Sequence, residues 1–292
     1  MVQHPGYNLG LAPSSTVPTQ RGSGFHLPGS LFLRVLVQRR NLIDQLVRRD
    51  FEQRFVGSVA GWVWTLIHPL VMLLIWVFVF QTVLHVPTPH WAAHKSFAVY
   101  LLCGYLPWLL FSEAVQRSAG CLVDHATLLT KTIFPAEVLP VTIFLSSLIS
   151  NALTILIAVA AVLLTEHRQP WTIVFLPLLV FIVALLSVGV SWIAASLQVY
   201  LRDTAQFVMV LLNVWFWCTP ILLDEASFPA WARAAVRWNP LSAVVRAYRQ
   251  CLLIGEMPDW RDLALSAALS AAVFVLGGLF FRRLKHGFAD VL

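Results

Sequence analysis

Between Trp62 and Leu84 the chain carries no formally charged side chain. At about 1.5 Å per residue, a helix of that length covers roughly 34 Å, enough to cross a hydrocarbon core of about 30 Å. Just before it, LVRRDFEQRFVGSVAG sets Arg48, Arg49, Asp50, Glu52 and Arg54 at helical spacing and then passes through Gly57, Ser58, Ala60 and Gly61. This order predicts a basic surface helix feeding into a membrane helix. The whole composition agrees: 59% of residues are hydrophobic and 12% charged, against about 25% charged in an ordinary soluble domain. The chain therefore reads as an all-α integral membrane protein, with no room for a large soluble domain in its 292 residues. The formal charge of +6 comes from Arg and Lys beside apolar spans, where they orient the protein and meet anionic lipid rather than nucleic acid.

Six spans are expected: Trp62–Leu84, Phe97–Gln116, Val138–Thr165, Trp171–Val199, Phe207–Leu223 and Leu263–Phe281. An even number puts both termini on one side. Thirteen Arg and Lys fall on that side and seven on the other, so the positive-inside rule places both termini in the cytoplasm. Residues 1–30, with Pro5, Pro13, Pro18 and Pro28 among Gly and Ser, read as a disordered tail without a signal-peptide core. Residues 31–60 read as an amphipathic helix: Leu42, Leu46, Val47, Phe51 and Phe55 form an apolar stripe between arginines. Such a helix lies in the headgroup plane; the other reading is a solvated helix packed on a partner. Residues 61–292 then form the transmembrane domain.

The connections carry the remaining information. On the cytoplasmic side, Arg117–Glu137 is long enough for a short helix from about Ser118 to Thr130, a candidate docking element or a plain loop, and Tyr200–Gln206 is a tight turn presenting Arg202 and Asp203. On the external side, Asp224–Asp262 is too apolar for a free loop, and Pro229, Pro240 and its charges interrupt it too often for a span. Two short helices that dip into the membrane and return are expected, bordering a path through it, because irregular backbone at that depth must be buried in protein or face water.

Several chemistries are missing. There is no phosphate-binding loop of the GxxxxGK[ST] type and no HExxH. His90 and His94, with His85 nearby, lack a Cys or carboxylate partner, and the flanking Pro87 and Pro89 disfavour a helix, so no metal site is assigned. The cysteines show no CxxC spacing, and Cys103 and Cys218 lie in apolar runs as small hydrophobes. Glu113 with Arg117 one turn later reads as a structural ion pair rather than a proton relay. The aromatic residues say more. Tyr105, Trp108 and Phe111 follow one face, Trp76 and Phe80 share another, and Trp215, Phe216 and Trp217 cluster in the fifth span. They serve either as anchors and packing or as flat platforms for sugar rings along a glycan conduit.

Four stretches, RRDFEQRFVGSVAGWVWTLIHPL, GYLPWLLFSEAVQRSAGCLVDHATLLTKTIFPAEVLP, YLRDTAQFVMVLLNVWFWCTPILLD and WNPLSAVVRAYRQCLL, together resemble the membrane subunits of ABC-2 type polysaccharide exporters, the O-antigen and teichoic acid permeases. The resemblance runs in order from Leu31 to the end. It implies a non-enzymatic permease working as a homodimer beside two copies of a separate ATPase. ATP and Mg would bind to that ATPase, and no cofactor to this chain. The cargo would be an undecaprenyl-linked glycan, most closely O-antigen, crossing a bacterial inner membrane.

By the same likeness, Cys121, Leu122, Asp124, His125, Leu128 and Lys131 would form the coupling helix for the ATPase, with Arg202 and Asp203 beside it. Arg48, Arg49 and Arg54 would meet the lipid pyrophosphate at the cytoplasmic entrance. Trp76, Phe80, Tyr105, Trp108, Trp215 and Trp217 would contact glycan along the path. The alternatives are a teichoic acid or capsule exporter, a small-molecule ABC-2 permease, and a membrane glycosyl- or acyltransferase using Asp224, Glu225, Asp259 and Asp262.

Overall fold

The computed structural model describes residues 39–54, 56–57, 61–86, 96–131, 134–166 and 171–291. The expected tail, the first part of the expected amphipathic helix, His90 and His94 lie outside them. The described elements are helical, with no strand among them. That is the form an apolar chain must take where lipid offers no hydrogen bonds to the backbone. Helix α1 spans Arg40–Arg54. Helix α2, Trp64–Val77, continues a 3-10 turn at Gly61–Val63 and ends in a π-helical stretch, Phe78–Val83. Then come α3, Phe97–Asp124, the short α4, Ala126–Lys131, and α5, Val138–Glu166. A 3-10 lead-in, Trp171–Phe175, opens α6, Leu176–Tyr200, and α7 follows at Thr204–Trp217. Helices α8, Ala230–Trp238, and α9, Pro240–Arg249, form a hairpin, with a π-helical turn Gln250–Ile254 after it. Last are α10, Trp260–Lys285, and α11, Phe288–Val291.

Among the described residues, five segments are long and apolar enough to cross a membrane: Gly61–Val83, Phe97–Asp124, Val138–Leu164, Trp171–Tyr200 and Trp260–Lys285. The sixth expected span, Phe207–Leu223, does not form as one helix. Helix α7 has 14 residues, about 21 Å, and the chain leaves helical geometry before Pro220, whose ring and missing N–H would break a helix there. The expected cytoplasmic helix at Ser118–Thr130 is also corrected. Residues 118–124 are the end of α3, which turns at His125 into α4.

Helices α3 and α6 form the centre. Helix α3 buries Tyr100, Leu101, Leu110, Phe111 and Leu122; α6 buries Trp192, whose indole donates to the Glu137 carbonyl at 3.0 Å and whose ring packs against Phe274 and Phe281 of α10. Helices α6 and α10 meet through small residues, as lipid-embedded helices do when backbones approach closely. A Cβ on Gly277 would collide with the Gly189 carbonyl, and one on Gly189 would lie 2.7 Å from the Phe274 nitrogen. Buried Ser187, Ser191 and Ser270 belong to the same two helices. In contrast, α2 and α7 are peripheral and expose Leu74, Phe78, Phe207, Val210 and Trp217.

One end of the bundle collects α1, α4, the α6–α7 turn and the C terminus. The Tyr200 hydroxyl donates to the Leu284 carbonyl at 3.0 Å, and its ring packs on Phe288. Lys285 pairs with Glu137 at 2.6 Å. Gln198 ties the turn by donating to the Arg202 carbonyl and accepting from the Ala205 N–H. The opposite end carries the α8–α9 hairpin, the π turn after it, and the start of α10.

Candidate substrate path and coupling surface

Helix α1 is positioned by its apolar face, with Ile43 and Val47 packed on Val138, and locked by two ion pairs to α3. Arg54 reaches Glu113 at 2.6 Å and donates to the Ser150 hydroxyl at 2.7 Å. Arg117 reaches Asp50 at 2.7 Å and donates to the Ser147 hydroxyl. The expected pairing of Glu113 with Arg117 is therefore corrected, since each binds a partner on α1 instead. The Asn151 amide also donates to Glu113 at 2.7 Å. All four charged side chains are about three-quarters buried or more, where opposite charges attract much more strongly than in water. Of the arginines assigned to the entrance, Arg54 is thus built into the fold, while Arg48 and Arg49 are exposed. Arg48 pairs with Glu52 one turn on at 3.0 Å, and that hydrogen bond raises its pKa above the ordinary arginine value.

Next to this clamp lies a hollow of about 260 Å³ between the start of α2 and the inner faces of α3 and α5. Its walls mix aromatic and uncharged polar groups with the Arg54–Glu113 pair.

The residues assigned to glycan contact divide into two groups. Trp76, Tyr105, Trp108 and Trp215 join Phe111 and Phe216 in one interlocked cluster across α2, α3 and α7. Trp76 meets Tyr105 edge-on at 4.8 Å and stacks on Phe216 at 5.2 Å. Trp108 meets Phe216 at 5.5 Å, and Phe111 meets Trp215 at 5.1 Å. Tyr105 and Trp108 are buried, while Trp76, Phe80 and Trp215 are half-buried. Trp217 lies at the edge of the cluster, its ring meeting Phe216 edge-on at 5.6 Å, and is 60% exposed on α7.

Among the assigned coupling residues, Cys121 and Leu122 are buried and face the core, whereas Asp124 is exposed and His125 and Leu128 half-buried. The His125 ring contacts the Cys121 carbonyl at 2.9 Å and closes the α3–α4 bend. Lys131 ends α4, and its side chain lies outside the described residues. Arg202 and Asp203 are exposed at the turn of the same end. Cys218, expected as a buried small hydrophobe, is exposed; Cys103, Cys121 and Cys251 are buried.

At the other end, sequence reasoning missed two residues. Asn239 caps α9 by accepting the Leu241 N–H at 3.1 Å, accepts the Trp215 indole N–H at 3.0 Å, and donates to the Thr219 hydroxyl at 2.9 Å. It ties the hairpin tip to the end of α7. The Asn-Pro pair at a helix start was the available signal. Arg249 is 3% exposed. It donates to the carbonyls of Pro220 and Ile221 at 2.8 and 2.6 Å, and its guanidinium carbon lies 3.8 Å from the centre of the Tyr100 ring. Gly104 leaves the space it fills, since a Cβ there would lie 2.6 Å from Nη2. An unwound segment in apolar surroundings needs partners for its carbonyls, and Arg249 supplies them.

Three of the four external acids are committed to structure. Arg246 bridges Glu225 and Asp262, and Asp259 caps α10 by accepting the Arg261 N–H. The fourth, Asp224, lines a cavity of about 230 Å³ beside Glu225, Arg246 and Arg249.

Comparison with known proteins agrees with this architecture. The family model described as ABC-2 type transporter matches residues 41–253, from α1 through the turn after α9. The chain is 28% identical to the O-antigen export system permease protein RfbA of Myxococcus xanthus over 260 residues, covering 88% of this chain and 98% of that protein. It is 24% identical to an RfbA permease of Klebsiella pneumoniae over 253 residues, covering 86% and 95%. Over 241 residues it is 24% identical to the polysialic acid transport protein KpsM of Escherichia coli, covering 82% and 92%. With its clamped α1, its all-helical bundle and a family match over most of its length, the chain belongs to the ABC-2 type transporter membrane family.

Proposed function

We propose that this chain is the permease subunit of an ATP-driven exporter that moves an undecaprenyl-linked polysaccharide, O-antigen first among the candidates, across a bacterial inner membrane. The observation that carries the reading is the likeness to an O-antigen export permease over 98% of that protein's length. The similarity to a polysialic acid transport protein supports a polymeric cargo and keeps capsular polysaccharide as the second reading.

The working unit is a homodimer with two ATPase subunits. Residues 31–60 lie at the interface and residues 61–292 form the membrane domain. Helix α7 and the irregular segment after it complete a sixth crossing, so that both termini face the cytoplasm, and the α8–α9 hairpin dips into the membrane from outside. Ser266 of α10 donates to the Pro240 carbonyl, about 9 Å along the helix from Trp260 at 1.5 Å per residue, which supports this depth for the hairpin tip. The exposed apolar faces of α2 and α7 support their placement along the path or against the second copy, with Trp217 and Phe80 toward the glycan and the buried rings of the cluster holding these helices in place. Asp124, His125, Leu128 and the Arg202–Asp203 turn form the surface seated in the ATPase. ATP binding in the partner closes the ATPase pair, the α3–α4 bend moves with it, and α2 and α7 shift to advance the glycan.

The test is co-expression with the ATPase encoded beside this chain. A two-plus-two complex that hydrolyses ATP and restores glycan export to a permease deletion is expected. A chain that purifies alone and turns over a lipid-linked sugar overturns the reading.

A further inference from the structure

The hollow between α2, α3 and α5 has a chemistry that the export reading does not yet use. Trp64 stands at its rim, 57% exposed. Tyr105, on a ring only 6% exposed, borders it with a hydroxyl that has no hydrogen-bond partner among the described residues. Gln116 and His68, both exposed, also line it without a partner among the described residues. The charges in its wall cancel, because Arg54 and Glu113 are paired at 2.6 Å.

A site built this way disfavours an anion, which would have to compete with Glu113 for Arg54, and disfavours an apolar ligand, which would strand the polar groups. It suits a neutral, hydroxyl-rich ring. An amide and a phenol each donate and accept, so they match a row of hydroxyls, and an indole face covers the apolar side of a sugar. The volume of about 260 Å³ falls just below the ~300–1,000 Å³ of sites for drug-sized ligands, so it admits a single ring rather than a folded polymer. Arg49 lines a separate cavity with Asp50, His125 and Leu128, and Arg48 pairs with Glu52, so neither cation belongs to the hollow.

The geometry points to a saccharide subsite in which Gln116, Tyr105 and His68 hydrogen-bond one sugar ring of the cargo, with Trp64 stacked on it. This deepens the export reading and rests on it. The site gives the permease a means to recognise sugar before the glycan reaches α7. The Arg54–Glu113 pair is a positioning element, since it fixes the wall without binding the ring.

The test uses the full chain in its host, with the native glycan as ligand. A photo-cross-linking residue, p-benzoylphenylalanine, replaces Trp64 in one strain and Trp217 in another, and the adducts are hydrolysed and their sugars identified. A sugar-bearing adduct at position 64 is expected. Its yield should fall about three- to tenfold when Gln116→Leu or Tyr105→Phe is added, the loss of one or two hydrogen bonds. Tyr105→Phe removes a single oxygen and leaves the packing against Trp76, so a lower yield there is not a folding defect. An adduct that persists when chain elongation is blocked identifies the lipid-linked sugar, and one that needs elongation identifies glycan in passage; either supports the subsite. Sugar at position 217 with only phospholipid at 64, or a yield at 64 indifferent to both substitutions, overturns the subsite and leaves export standing. No sugar at either position overturns the export reading and the subsite with it.

Discussion

Arg249 should be the most costly single cation to remove from this fold, and Gly104 should matter only because of it. In Arg249→Met the carbonyls of Pro220 and Ile221, now hydrogen-bonded at 2.8 and 2.6 Å, stay buried without donors, at about 1–3 kcal/mol each. The contact with Tyr100 at 3.8 Å adds up to about 2 kcal/mol for a desolvated cation over a ring. Releasing the cation from burial recovers several kcal/mol of desolvation, so the net loss should be ~2–4 kcal/mol. Gly104→Ala places a methyl 2.6 Å from Nη2, an overpacking that costs about 1–3 kcal/mol.

The sharper test is the pair of substitutions. With Met at 249 the clash partner is gone, so Gly104→Ala should become nearly neutral, a coupling of about 1–3 kcal/mol between residues in contact. The assay is reversible unfolding in mixed micelles, followed by far-ultraviolet circular dichroism, for the four members of the cycle. If Gly104→Ala costs the same with and without Arg249, or if Arg249→Met changes stability by less than about 0.5 kcal/mol, the level of an ordinary surface change, the clamp is not what holds the end of α7.

Four further outcomes are expected. Asp50→Asn and Arg117→Met should each loosen α1 and show a coupling of about 1 kcal/mol, discounted for partial exposure; unchanged hydrogen-exchange protection of α1 in both would refute the clamp at that end. Gly277→Ala should separate α6 from α10 and sharply lower the yield of folded protein, because its methyl meets backbone rather than a movable side chain; near-normal yield would contradict the packing. Trp76→Ala should cost about 1–3 kcal/mol through its two ring contacts, whereas Trp217→Ala should leave stability within about 0.5 kcal/mol and reduce glycan export, so normal export would remove Trp217 from the path. Asp124→Ala combined with His125→Ala should lower export and ATPase stimulation while membrane insertion stays intact, and full export would place the ATPase contact elsewhere.

Much of the candidate site was legible in the chain. The charged stretch before Trp62 announces α1, Asp224–Asp262 shows by its mixed polarity that it is neither loop nor span, and the Asn239–Pro240 pair carries a helix-start signal that reads at first only as an interruption. Other features were hidden for a common reason. Membrane helices are apolar around most of their circumference, so periodicity says little about which face turns inward. The sequence could therefore group Trp76, Tyr105, Trp108 and Trp215 as aromatic but could not say that these rings are spent on one another, with Trp217 left largely exposed at their edge.

What the sequence determined by itself is whatever depends on single residues and their near neighbours. Uncharged runs of sufficient length must be helical and lie in lipid, and a chain without a GxxxxGK[ST] loop does not hold ATP in that way. What only the tertiary structure decided is the choice among equivalent partners. Glu113 can reach Arg117 one turn away, yet it pairs with Arg54 because α1 folds back across α3 and brings Asp50 to Arg117 at the same time. Arg249 reads as one more surface cation until α9 is laid against the unwound end of α7, where two carbonyls and a glycine gap make burial of its charge favourable. A charge takes the partners that desolvation and neighbouring backbone leave to it, and those are set by which helices meet, not by spacing along the chain.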